Sequence, residues 1–289
     1  MRATHPDRTG QVERDGIRLG YEMFGRGEPT FLLLPTWTIV HTRFWKMQVP
    51  YLARHYRVVT YDGPGNGLSD RVTDPDRYSA ESYAADAVAV LDACAIERVV
   101  AVGLSRGANY ATRLAANYPE RVTGVVLIGP AMSLTAPLIE RADIAKKFDQ
   151  PYPENPHGWD KYNLAYWHDH YRDFVEFFFS QAFSEPHSTK PFEDAVGWAL
   201  ETGPEILGAE RSGPEPDVPD PEIFDRVRCP VLTIHGTGDR IQSHRVGEEA
   251  ARLSKGPLLS MIGAGHMPNV RDPVRVNLAL RDFAEGLAQ

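Results

Sequence analysis

Cysteine is scarce in this sequence, which holds two, Cys94 and Cys229, among 289 residues. They are far apart and have no CxxC or Cys/His spacing, so we expect neither a disulfide framework nor a zinc site. The net charge of −8 lacks the basic excess of a nucleic-acid-binding protein. No apolar run approaches the roughly 20 residues that cross a bilayer, and the polar N-terminal segment does not resemble a signal peptide. These absences predict a cytoplasmic protein with no metal, nucleic-acid or membrane partner.

Short apolar runs alternate with helical patterns along most of the chain, and 42% of the residues are hydrophobic. This alternation predicts an α/β fold with a mostly parallel central sheet flanked by helices. A hairpin is predicted over residues 11–24, because Asp15-Gly16 suits a type I′ turn. The other predicted strands are Phe31–Leu34, Arg57–Tyr61, Val99–Leu104, Val125–Ile128, Val231–His235 and Leu258–Ile262, and the predicted helices are Ala80–Ala95, Ala108–Ala116 and Val274–Gly286.

One long segment interrupts the alternation. Residues 133–224 contain no predicted strand, but they include an aromatic-dense helical stretch, Trp159–Phe183, and a return rich in proline and glycine. We interpret 133–224 as a helical cap inserted into a core formed by residues 1–132 and 225–289. Most of the aromatic residues are expected to pack the cap onto the core. A cap over the carboxyl edge of a sheet nevertheless usually encloses a pocket.

The sequence Gly103-Leu-Ser105-Arg-Gly107 lies between a predicted strand and a predicted helix. A serine on such a tight turn projects its hydroxyl from the sheet edge, and glycines two positions away avoid collision with the adjacent chain. A serine nucleophile needs a base and a group that orients the base. Asp239 and His266 follow the next predicted strands in the order acid, then histidine. Each alone would be a turn aspartate or a loop histidine, but together they predict a catalytic triad.

With these residues the chain resembles an α/β-hydrolase of the serine esterase type over nearly its whole length. The resemblance implies that Ser105 is the nucleophile, His266 the general base and acid, and Asp239 the group that orients it, with no metal or organic cofactor. Related dehalogenases and epoxide hydrolases carry aspartate at the nucleophile position, so serine disfavours those activities. The segment Tyr61–Asp70 resembles the family's glycine-rich turn after its fourth strand, and without GK[ST] it is not a phosphate-binding loop.

The same resemblance implies an oxyanion hole formed by the backbone N–H groups of Trp37 and Arg106. The family commonly has His-Gly where this chain has Pro35-Thr36. A β-branched residue is disfavoured at positive φ, so either the loop takes another path or the donor differs. Thr38 and His41 are predicted to line the substrate pocket, and a surface position is the alternative for His41.

The predicted reaction is hydrolysis of a carboxylic ester or lactone of a small molecule through an acyl-enzyme. Tyr166, Trp167 and Phe178 in the aromatic cap are the predicted pocket residues, and they favour a bulky apolar or cyclic substrate such as a macrolide lactone. Linear fatty esters and thioesters fit the composition equally well. Two other classes stay open, namely a non-hydrolytic enzyme of the same fold (a perhydrolase or lyase) and a ligand-binding receptor with slow turnover. We expect a monomer or homodimer.

Overall fold

Eight strands form one sheet in the computed structural model, which describes residues 4–287. In chain order the strands are β1 Arg8–Arg14, β2 Ile17–Phe24, β3 Phe31–Leu33, β4 Val58–Tyr61, β5 Val99–Leu104, β6 Val122–Ile128, β7 Val231–Gly236 and β8 Leu258–Met261. Their spatial order is β1-β2-β4-β3-β5-β6-β7-β8. The β1–β2 and β2–β4 pairs are antiparallel and the other five pairs are parallel. The predicted mostly parallel sheet is therefore confirmed.

Local sequence explains the hairpin and the central strands. Asp15 and Gly16 join β1 to β2 with φ values of 51° and 78°, as the predicted type I′ turn requires. Every residue of β3 to β7 except Thr123 is buried. Along β5, Val99 and Ala101 pack into one hydrophobic cluster, whereas Val100 and Val102 pack into another. Both faces of the sheet are therefore covered, which accounts for apolar runs without alternation.

Helices cover the two faces. They are α1 Val49–Leu52, α2 Ala80–Ala93, α3 Arg106–Asn117, α4 Ile144–Lys147, α5 Leu164–Ala182, α6 Thr189–Ala199, α7 Pro204–Arg211, α8 Asp220–Ile223, α9 His244–Ser254, α10 Pro268–Arg271 and α11 Pro273–Gly286. The cluster on one face includes apolar side chains of α2, α3 and α9. The cluster on the other face includes those of α11 and the aromatic residues of α5.

The chain between β6 and β7 forms α4 to α8 with short 3₁₀ turns and, in the described residues, no strand. One carboxylate joins the two ends of this segment. Asp220 Oδ2 accepts a hydrogen bond from Ser133 N (2.6 Å), and Asp220 Oδ1 accepts one from Arg113 of α3 (2.7 Å). Arg113 is fully buried. The chain therefore leaves and rejoins the sheet at one point, while the assignment of 133–224 as a separate cap stays a prediction.

Candidate active site

Ser105 lies on the turn between β5 and α3 with φ 56° and ψ −119°. This is an uncommon backbone conformation for a non-glycine residue, and the surroundings hold it in place. Ser105 N donates to Ile128 O (2.9 Å) and Ser105 O accepts from Ala131 N (3.0 Å). A Cβ at Gly103 would lie 2.0 Å from Gly107 O, so the turn can close only with glycine at position 103. The glycine spacing predicted from the sequence thus has a steric cause.

Asp239 and His266 are in direct contact. His266 Nδ1 lies 2.7 Å from Asp239 Oδ2, and both residues are buried. The other carboxylate oxygen, Oδ1, accepts hydrogen bonds from Ile241 N (2.7 Å) and Gln242 N (2.9 Å). Burial alone would raise the pKa of Asp239, but His266 and His235 together hold this pKa well below its usual value. Asp239 is therefore ionised and fixes the orientation of the His266 ring.

Gly129 connects this pair to Ser105. It follows Ile128, whose carbonyl binds Ser105 N, and it has φ 47°. A Cβ at Gly129 would lie 3.0 Å from His266 O and 3.4 Å from His266 Nδ1. The serine turn and the histidine therefore flank the same short stretch of chain after β6. Asp239 and His266 are thus in contact near the serine turn at the carboxyl edge of the sheet, and the catalytic triad stays a prediction.

His235 is a member of this cluster that the sequence analysis missed. Its Nε2 lies 3.0 Å from Asp239 Oδ2, and the side chain is fully buried at the end of β7. Its Nδ1 has no hydrogen-bond partner within the described chain. The available signal was the spacing His-Gly-Thr-Gly-Asp, which places a histidine four residues before the acid at the same sheet edge.

The loop after β3 packs directly against the serine turn. Thr36 Oγ1 donates to Leu104 O (2.8 Å), and a Cβ at Gly107 would lie 2.3 Å from Pro35 O. Thr36 does not have a positive φ. The loop therefore accommodates threonine in place of glycine, and its hydroxyl anchors the loop to the residue before Ser105. Within residues 4–287, no acceptor is found for the backbone N–H groups of Trp37 and Arg106.

The side chain of Trp37 packs against aromatic residues of α5. Its ring centroid is 4.9 Å from that of Phe178 and 6.0 Å from that of Trp167. All three side chains are buried. Two of the three predicted pocket aromatics in the cap therefore contact the predicted oxyanion loop, and they do so as part of one continuous aromatic cluster.

The remaining predicted pocket residues have other partners. Tyr166 packs against Tyr152 and donates its hydroxyl to Asp173 (2.5 Å). Thr38 Oγ1 donates to Glu210 of α7. His41 is 3% exposed, so the surface alternative is wrong, because the loop turns inward and His41 Nε2 lies 3.4 Å from Glu201.

The glycine-rich segment 61–70 supports the same loop. Asp62 Oδ1 accepts hydrogen bonds from Thr42 N (2.9 Å) and Thr42 Oγ1 (2.6 Å). Asn66 Nδ2 donates to Thr38 O (2.5 Å). Gly65 has φ 91°, and a Cβ there would lie 2.4 Å from Ile206 Cγ2. These contacts fit the prediction of a structural turn.

Within residues 4–287, no group of three or more His, Cys, Asp or Glu side chains is arranged to hold a metal ion. No helix there has both the length and the apolar character needed to span a membrane.

Residues 29–273 match the model of the alpha/beta hydrolase fold family. The chain belongs to this family. Among curated proteins, it is 31% identical to 2-hydroxymuconate semialdehyde hydrolase of Pseudomonas sp. (strain CF600), over 52% of this chain and 54% of that protein. It is 27% identical to 3-oxoadipate enol-lactonase 2 of Acinetobacter baylyi, over 41% of this chain and 43% of that protein. The chain spans about half the length of these curated relatives, or less.

Solved structures share the alpha/beta hydrolase fold over nearly the whole chain. A putative aryl esterase from Burkholderia cenocepacia aligns with a TM-score of 0.79 and 21% identity, covering 97% of this chain and 99% of that one. The enol-lactonase of Burkholderia xenovorans LB400 aligns with a TM-score of 0.75 and 22% identity, covering 96% and 99%. These likenesses establish the fold.

Proposed function

We propose that this protein is a serine hydrolase that cleaves a carboxylic ester or lactone of a small molecule through an acyl-enzyme. The observation that carries the proposal is the 2.7 Å contact between His266 Nδ1 and Asp239 Oδ2. The stretch Ile128-Gly129 links this pair to the turn of Ser105, because Ile128 O accepts from Ser105 N and Gly129 borders His266. An ionised Asp239 keeps the proton of His266 on Nδ1. Nε2 is then the nitrogen that takes a proton from the serine hydroxyl.

The reaction proceeds in two halves. Ser105 Oγ attacks the substrate carbonyl as His266 Nε2 removes its proton, and the carbonyl oxygen becomes an oxyanion. His266 then gives the proton to the leaving alkoxide, and the acyl group stays on Ser105. Water, deprotonated by His266, attacks the acyl-enzyme and releases the acid. In a lactone the alcohol and the acid belong to one product molecule.

The N–H groups of Trp37 and Arg106 bind the oxyanion in both halves. Two observations support this role, namely that neither N–H has an acceptor within residues 4–287, and that the contact of Pro35 O with Gly107 brings the two chain segments together. A single donor of this kind is worth roughly 3 kcal/mol of transition-state stabilisation.

The cap favours substrates with apolar or cyclic acyl or alcohol groups, because Trp37, Trp167 and Phe178 form a continuous aromatic cluster over the loop. Lactones are included among the test substrates, because one relative is named an enol-lactonase and one structural neighbour is described as an N-acyl homoserine lactone degrading enzyme. Macrolides are the large cyclic lactones among these test substrates.

The test combines a fluorophosphonate probe with a panel of esters and lactones that ends with intact macrolides. We expect mass spectrometry to find the probe on Ser105 and a gain of one water on at least one substrate. Ser105→Ala should abolish both while leaving the circular dichroism spectrum unchanged. Turnover that persists in Ser105→Ala would contradict the mechanism. Absence of labelling in the wild type would favour a ligand-binding protein instead.

A further inference from the structure

Glu210 is a buried cap residue that the proposed mechanism does not use. It is on α7, is 1% exposed, and reaches across to the core. Its Oε2 accepts hydrogen bonds from Thr38 N (2.9 Å) and Thr38 Oγ1, although the two residues are 172 positions apart in sequence. A buried carboxylate is costly unless charged and hydrogen-bonded partners surround it, so the partners of Glu210 indicate what it does.

The second carboxylate oxygen contacts α3. Tyr110 donates its hydroxyl to Glu210 Oε1 (3.0 Å), and the guanidinium Nε of Arg106 lies 3.4 Å from the same oxygen. Burial raises the pKa of Tyr110, so its hydroxyl stays protonated as a donor. Arg106 provides the positive charge that balances the carboxylate. One cap side chain therefore holds both the loop after β3 and the residue that follows the nucleophile.

The contact at Thr38 fixes the backbone beside Trp37. The Thr38 N–H belongs to the peptide group that Trp37 begins, and this peptide group is bound to Glu210. Thr38 O accepts from Asn66 Nδ2, and Thr36 Oγ1 donates to Leu104 O. The residues on either side of Trp37 are thus anchored, whereas the N–H of Trp37 itself has no acceptor within the described chain. This arrangement leaves the Trp37 N–H free to donate and prevents rotation of the peptide group that carries it.

We propose that Glu210 is a positioning residue for the oxyanion hole, through which the cap holds the N–H groups of Trp37 and Arg106 in their working orientation. The proposal rests on the proposed function for its catalytic consequence, but the anchoring of the loop can be measured separately. A cap that is displaced would carry Glu210 with it and release the loop. The oxyanion hole is therefore complete only when the cap is seated.

The experiment compares Glu210→Ala, Glu210→Gln and Asp194→Asn with the wild type. Asp194 is a matched control, because it is an acidic cap residue whose carboxylate pairs with Lys46 of the core and with Lys190 of its own helix. For the best substrate of the panel, we expect Glu210→Ala to lower kcat about 10²-fold with KM within about threefold, as for the loss of an oxyanion donor. The rate of fluorophosphonate labelling should fall in parallel. Asp194→Asn should stay within about twofold of the wild type in all three quantities.

Glu210→Gln tests the role of the acceptor oxygen. Its amide oxygen still accepts both hydrogen bonds from Thr38, so we expect kcat within about tenfold of the wild type. A purely structural role would lower the melting temperature and leave kcat of the folded protein unchanged, which would overturn the proposal. If Glu210→Ala does not fold, Thr38→Val removes one donor from the same contact. It should lower kcat about tenfold, and an unchanged kcat would also overturn the proposal.

Hydrogen exchange of the Thr38 amide, measured by NMR, gives an outcome that does not depend on catalysis. We expect protection of this amide in the wild type and in Asp194→Asn, and its loss in Glu210→Ala. Protection that persists in Glu210→Ala overturns the positioning role, even if the protein is an active esterase. If protection of the Thr38 amide is lost in Glu210→Ala while the wild type itself is not labelled at Ser105, the positioning role is supported and the proposed function is refuted.

Discussion

His235 Nε2 and His266 Nδ1 contact the same oxygen of Asp239, Oδ2, at 3.0 Å and 2.7 Å. The carboxylate is thus held by a second histidine that lies behind it in the core and is fully buried. Because Oδ1 is occupied by two backbone N–H groups, every side of the carboxylate is fixed. We therefore expect the orientation of His266 to depend on His235 as well as on Asp239.

Replacing His235 should weaken catalysis without removing any predicted triad residue. In His235→Phe, Asp239 loses one hydrogen bond, and we expect kcat to fall about tenfold and the free energy of unfolding to fall by about 1–3 kcal/mol. His235→Gln offers an amide N–H in the same place and should recover most of kcat. Steady-state kinetics and urea unfolding measure the two effects. Equal kcat in His235→Phe and the wild type would show that Asp239 needs no second histidine.

Gly107→Ala should disrupt the oxyanion loop by a single methyl group. The new Cβ would lie 2.3 Å from Pro35 O, so the backbone of the loop must move away from the serine turn. We expect kcat to fall about 10²-fold, because both oxyanion donors border this contact. The control is Gly197→Ala, where a Cβ meets nothing within 4 Å on α6. This control should keep full activity and gain about 0.5–1 kcal/mol of stability. Full activity in Gly107→Ala would contradict the assigned oxyanion loop.

Stability should fall as the pH drops below about 6.5, the ordinary pKa of histidine. Burial lowers the pKa of His41, an effect opposed by Asp62 and Glu201 and reinforced by Arg43. Between the lowered value and about 6.5 the unfolded chain binds a proton that the folded chain does not, so folding is disfavoured by at most about 1.4 kcal/mol per pH unit. His41→Asn keeps an acceptor for Arg43 N and removes this titration.

Urea unfolding from pH 5 to 7.5 measures this dependence in the two proteins. We expect the wild type to lose more stability than His41→Asn towards pH 5. Asp239 acts in a different window, because its lowered pKa makes stability fall only below the ordinary carboxylate range near 4. Parallel curves for the two proteins would show that His41 is not responsible.

Asp220→Ala should destabilise the protein strongly, because it leaves the guanidinium of Arg113 fully buried without this partner. Breaking a buried ion pair on one side typically costs about 3–5 kcal/mol. Asp217→Ala, an exposed acidic position in the same return segment, should change stability by less than about 0.5 kcal/mol. Thermal unfolding of the two variants measures this difference. Equal melting temperatures for Asp220→Ala and Asp217→Ala would show that the pair of Asp220 with Arg113 does not stabilise the fold.

Much of the fold followed from local patterns, because buried strands of a parallel sheet are continuous apolar runs and the Asp15-Gly16 turn has a specific geometry. The runs at Phe31, Val99 and Val231 begin strands as predicted. Helix α9 was not predicted, since its sequence is short and rich in charged residues. The position of β4 between β2 and β3 depends on tertiary pairing, which no local pattern encodes.

The candidate site was predictable where chemistry requires a fixed sequence order, and it was not where it depends on contacts between segments far apart in the chain. Ser105, Asp239 and His266 follow successive strand ends, so the sheet brings them together. The contact between Glu210 and Thr38 joins segments 172 residues apart, and nothing near Glu210 in the sequence indicates a buried carboxylate. The inward turn of His41 could not be predicted either, because its partner Glu201 lies far along the chain, after α6.

The hydrogen bond between Ser133 N and Asp220 affects how the segment between β6 and β7 can evolve. Both ends of the segment between β6 and β7 meet at one carboxylate beside α3. The length of that segment therefore does not affect the packing of the sheet. Doubling the length of a closed loop costs only about 0.6 kcal/mol in closure entropy. The segment between these two points can therefore change in length and sequence while the serine turn keeps its place, provided that the contact of Glu210 with Thr38 is kept. Substrate choice can then change through the rest of the segment without loss of the reaction type.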